Sequence, residues 1–66
     1  MSAITWEEPF CGEGNSCFRL GTDEEGNGYI SVAGDEAHAI TDTLPALRAL
    51  ILAIKAGEAD HLLQTP

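Results

Sequence analysis

The residue types able to do chemistry are few and lie far apart. Both cysteines fall in "CGEGNSC", residues 11–17, and the two histidines are His38 and His61. Cys11, Cys17, His38 and His61 supply four zinc donors in number. Two cysteines with five residues between them, however, lack the close spacing of a zinc knuckle. His38 lies in a strand-like stretch and His61 in the tail, so no metal is expected. A Cys11–Cys17 disulfide fits a short loop geometrically, but the compartment inferred below favours two free thiols. Cys17 then starts a strand half-buried. Either cysteine with His38 and Asp35 has the residue types of a nucleophilic triad. The sequence gives no reason to bring them together, and so short a chain does not readily enclose a pocket.

Three further patterns dissolve on inspection. "GEGNS" has no lysine and leads into a strand, whereas phosphate loops lead into a helix whose N-terminal amides bind the anion. "GDEAH", residues 34–38, spells the acidic box of a helicase class without the lysine loop or the chain length that an ATPase needs. Glu7-Glu8 and Glu24-Glu25 alternate faces or occupy turns and read as solvated charge. No catalytic residue and no cofactor is expected. The runner-up to a binding function is a zinc- or thiol-linked redox module built on Cys11 and Cys17.

Composition sets the frame for these residues. A chain of 66 residues is one small domain with a thin core. Eleven acids against Arg19, Arg48 and Lys55 give a net charge of -8. That balance argues against direct contact with nucleic acid, whose phosphates need Lys and Arg to displace counterions. It argues equally against an anionic membrane surface and toward a basic protein partner. "MSAITWEEPF" has neither a basic start nor an apolar run before its acids, and "LPALRALILAI" is too short to span a bilayer. The expected compartment is the cytoplasm.

The elements that must position these residues follow from periodicity. "ITW", 4–6, predicts a short strand with Ile4 and Trp6 on one side. "CFRLGT" alternates, with Phe18 and Leu20 opposite Cys17 and Arg19. Asn27-Gly28 signals a hairpin turn, and "YISVA" places Ile30 and Val32 opposite Tyr29 and Ser31. Gly34-Asp35 turns the chain again, and "AHAIT" offers a further strand carrying His38 and Ile40. From residue 44 to 56 the period becomes helical. Leu47, Leu50, Ile51 and Ile54 make one stripe, Thr43 is the N-cap, Pro45 sits in the first turn, Lys55 in the last, and Gly57 just past the end. The expectation is an α+β domain, a three- or four-stranded antiparallel sheet packed against one C-terminal helix. Trp6, Phe18, Leu20, Ile30, Val32 and Ile40 form the sheet face beneath the stripe. The core runs from about 4 to 60, with 61–66 as a flexible tail. Phe10, Leu44, Leu52, Leu62 and Leu63 fall outside this core. They either form an exposed apolar patch or, for Leu62 and Leu63, fold back under the helix.

The order of these features resembles a family. Trp6, "GEGNSC" at 12–17, two alternating strands, a helix opened by Thr43, and "IKAGEAD" at 54–60 are similar to the small acidic actinobacterial family called domain of unknown function 397, which includes the BldB-type developmental regulators. The signature positions are Trp6, Gly14, Asn15, Cys17, Lys55, Gly57, Glu58 and Asp60, in structural roles. Glu7-Glu8-Pro9 replaces the family's usual Lys-Ser-Ser, "AGDE" at 33–36 replaces its "RDS", and Leu47 replaces its helix tryptophan. The resemblance implies a non-catalytic companion or antagonist of a helix-turn-helix transcription regulator, in an antitoxin-like or developmental setting. A homodimer whose apolar tail residues cross between subunits is a third reading.

Overall fold

The structure, a computed structural model, describes residues 3–11 and 17–64. Four strands, β1 (Thr5–Trp6), β2 (Phe18–Thr22), β3 (Asn27–Val32) and β4 (Ile40–Thr43), form an antiparallel sheet in sequence order. Helix α1 (Leu44–Lys55) follows, and two short 3-10 helices, Glu36–His38 and Asp60–Gln64, occupy the β3–β4 connection and the C-terminal segment. The fold is therefore the expected α+β arrangement, with four strands. Thr43 caps the helix, its hydroxyl accepting from the Ala46 N–H at 3.2 Å.

The first hairpin turns earlier than the sequence suggested. Asn27 and Gly28 lie inside β3, paired with Thr43 and Asp42, and the left-handed position is Gly26 at φ 85. Asp23 makes this turn: its carboxylate accepts from the backbone N–H groups of Glu25 and Asn27 at 2.9 and 3.0 Å. Gly28 serves a different purpose. A Cβ there would lie 2.8 Å from the Leu47 side chain, so glycine lets the helix sit directly on β3.

Trp6 lies on the other face from the one expected. Alternation within β1 does not fix its phase against β2; the pairing of Trp6 with Gly21 does. The indole covers Gly21 and meets Tyr29, ring centroids 6.1 Å apart. Phe18, Leu20, Ile30, Val32 and Ile40 share the face that receives the helix, and Arg19, Ser31, Tyr29 and Thr41 share the other. His38 is not in a strand, because the chain turns through Glu36–His38 before β4 begins at Ile40.

Candidate functional site

The helix covers only part of the sheet face that its stripe was expected to fill. α1 follows β4 with no intervening loop, and the Leu44 N–H donates to the Gly26 carbonyl at 2.7 Å. Its first turn is thus pinned near one edge of the sheet, and it packs principally on β3 and β4. β2 is left open. Between the helix and β2 runs a groove of about 500 Å³ lined by Phe10, Phe18, Leu20, Ile30, Leu50, Ile51 and Ile54. Every lining residue is apolar.

Among the described residues Leu47 is the one buried hydrophobic side chain. Leu50, Ile51 and Ile54, meant for the core, are 43%, 44% and 53% exposed, and Phe10 and Phe18 are each 65% exposed. The surface totals 5299 Å². A folded monomer of 7.0 kDa would expose about 4,000 Å². The excess is about 1,300 Å² by that scaling. Sequence periodicity found Leu20, Ile30 and the helix stripe but took them as interior. It set Phe10 aside as lying outside any element. Phe10 in fact bridges to Phe18, its N–H donating to the Phe18 carbonyl at 2.7 Å, and forms one wall of the groove.

That wall is held by the cysteines. Cys11 and Cys17 directly follow Phe10 and precede Phe18, and they form a disulfide with Cα atoms 4.7 Å apart. The expectation of two free thiols is corrected. The antiparallel bridge at Phe10–Phe18 brings the next residues on each strand to bonding distance, which compartment arguments alone could not show.

The opposite face is polar. The Arg19 guanidinium donates from Nε to the Glu7 carbonyl at 2.7 Å and from Nη1 to Glu36 Oε2 at 3.1 Å. The Gly34 N–H, the Glu36 backbone and Arg19 hold the Glu36 carboxyl below its ordinary value. Asp23 accepts the Tyr29 hydroxyl at 2.6 Å and the Asn27 side-chain amide at 3.1 Å. The Tyr29 hydroxyl is the largest cause that lowers the Asp23 carboxyl to about 2, and the same bond raises the Tyr29 phenol. The sign follows from linkage. A carboxyl lowered in the folded chain stabilises it above the unfolded value of about 4, and that contribution is lost as pH falls toward 2. Asp23→Asn should therefore flatten the decline of the melting temperature between pH 4 and pH 2. Melts at pH 5, 4, 3 and 2.5 that fall as steeply in the variant as in the parent would disprove the assignment.

The other singled-out residues have structural partners. His38 Nδ1 meets Asp35 Oδ1 at 2.7 Å, both groups exposed, so two members of the hypothetical triad do meet. Its nucleophile is consumed by the disulfide. Among the described residues, no group of three or more His, Cys, Asp and Glu is placed to hold a metal ion. Trp6 covers Gly21, and Lys55 stands in the last turn of α1. Gly57, at φ 90, and Glu58 close the helix: their N–H groups donate to the carbonyls of Ile54 and Ala53, both at 3.0 Å. Asp60 begins the final 3-10 helix, and its N–H donates to the Gly57 carbonyl at 3.1 Å. Gly14 and Asn15 lie outside the described residues.

Among the described residues the acids are spread over several elements. Asp23, Glu24 and Glu25 occupy the turn before β3, while Asp35 and Glu36 occupy the connection after it, at the other end of the strand. Among the described residues no helix is long and apolar enough to cross a membrane. Comparison with protein-family models, curated proteins and solved structures finds no match to this chain.

Proposed function

We propose that the chain is a non-catalytic protein-interaction domain, a companion or antagonist of a helix-turn-helix transcription regulator. The observation that carries this reading is the open apolar face, from Phe10 to Ile54, on a chain that buries one hydrophobic side chain among its described residues. Water-facing apolar area on this scale favours association with protein. The net charge of -8 adds the preferred sign of the partner. The acids are dispersed, so they draw a basic protein through net charge and mark no single docking face; the DNA-reading surface of a helix-turn-helix regulator is basic because its ligand is anionic. The resemblance carried by Trp6, Cys17, Lys55, Gly57, Glu58 and Asp60 supplies the partner class. Binding there would compete with DNA.

The test is capture of the regulator encoded beside this chain, with the tagged chain as bait, at about 0.05 M and 0.5 M salt. Association at low salt that weakens at high salt is expected, because the attraction acts across a Debye length that shrinks from roughly 14 to 4 Å. No association in either buffer ends the proposal. One observation favours a second reading, a thiol-linked module: Cys11 and Cys17 are joined, and a dithiol–disulfide couple adjoins the groove wall. Zinc binding by the same pair would require breaking that bond.

A further inference from the structure

The groove walls are exposed and apolar, and the chain carries a second exposed apolar element at its C-terminal segment. Leu62 and Leu63 are 66% and 83% exposed at the end of the final 3-10 helix. They do not fold back into their own groove, contrary to one of the two sequence expectations. Gly57 turns the chain at φ 90 just past α1, and Asp60–Gln64 follows as a 3-10 helix with no buried residue.

We propose that the groove is filled by Leu62 and Leu63 of a second copy of this chain, in a two-fold dimer that exchanges C-terminal segments. The inference rests on reading the open face as an interaction surface and names its occupant. Three observations favour a second copy. The groove is lined only by apolar side chains, and the exchanged segment offers two adjacent leucines. The segment leaves α1 after Lys55, the residue next to Ile54, and Ile54 itself lines the groove, so the donor element begins close to an acceptor site. Groove and tail occur once each per chain, so a two-fold axis satisfies both together and leaves no open end. Phe10, Phe18, Leu50, Ile51 and Ile54 of the groove are each at least 43% exposed, so the exchanged leucines would cover apolar surface that the single chain leaves open to water. In the dimer the apolar face is covered, so a basic regulator would meet the polar face bearing Glu36 and Asp23 or compete with the second copy for the groove.

Charge supplies a signature. Two chains of -8 repel, so the dimer should tighten as salt rises, opposite to capture of a basic regulator. The test is sedimentation velocity of the full chain from about 1 to 200 μM at the two salt concentrations used above. A mass twice 7.0 kDa, with dissociation weakening at the higher salt, is expected. Leu62→Asp with Leu63→Asp should weaken dimerisation by roughly a hundredfold or more, by loss of two buried leucines per exchange. Its far-ultraviolet circular dichroism at concentrations where both are monomeric should match the parent. A parent that stays monomeric throughout overturns the proposal, as does a dimer that the double variant leaves intact. A monomer that still captures the regulator overturns the exchange alone and leaves the interaction domain standing.

Discussion

Leu47→Ala is expected to lower the unfolding free energy by about 2–3 kcal/mol, the largest loss from any single side-chain truncation in this chain. Leu47 is 7% exposed and rests on Gly28 in β3, where a Cβ would already clash with it. The usual range for buried leucine truncation is about 2–5 kcal/mol, rising with the cavity left behind. Here the lower half applies. The site adjoins a shallow notch between Gly28, Ile30, Ile40, Thr41 and Asp42, so the space left behind opens to water. In a domain this small the loss should lower the melting temperature by about 10–20 °C. Leu52→Ala, at a position 64% exposed, removes a side chain that is largely wet already and should cost below about 1 kcal/mol. Denaturant titrations of the two variants at one fixed concentration test the contrast. Equal losses would mean that Leu47 is not the centre of packing.

That contrast shows which features the sequence made legible. The helix was readable because its signals are local: the Thr43 hydroxyl on the Ala46 N–H, Pro45 in the first turn, and Gly57 turning the chain just past the end. Strand faces were readable for the same reason, since Phe18 with Leu20 and Ile30 with Val32 follow a period of two. Relations between elements were not. Trp6 changed face because register depends on the Trp6–Gly21 pairing, which no property of "ITW" determines. The turn moved from Asn27-Gly28 to Gly26 because Asp23 collects three groups from Asn27 and Tyr29 as well as the Glu25 N–H, a convergence visible only in three dimensions. The groove was missed for a similar reason. A helical stripe announces that one face is apolar; it says nothing about how much of a partner surface the connection will let that face reach. The direct step from Thr43 to Leu44 decides this, by fixing the helix over β3 and β4.

The Cys11–Cys17 bond carries the other large expected effect. It closes a loop of seven residues, and loop-closure entropy for that length is worth about 2.4 kcal/mol at 25 °C. Cys11→Ser with Cys17→Ser, or reduction by a small dithiol that takes up the disulfide's oxidising equivalents, should lower the melting temperature by about 10–20 °C. The loss should not spread evenly. The bond pins Phe10 against Phe18, whereas Leu47, Gly28 and the helix belong to the opposite edge of the sheet. Hydrogen exchange should therefore quicken first at the Phe10 N–H, which donates to the Phe18 carbonyl, and later at the helix amides. With that wall loosened the groove loses an aromatic side, and whatever occupies it should bind more weakly to the reduced chain. A thiol-linked redox module makes a different demand: both redox forms must persist as folded species. Unchanged melting and unchanged Phe10 protection after reduction would remove the structural role argued for this bond and favour that reading. Selective loss at Phe10 would make the disulfide a fastening of the interaction face, placed where two residues already meet across an antiparallel bridge.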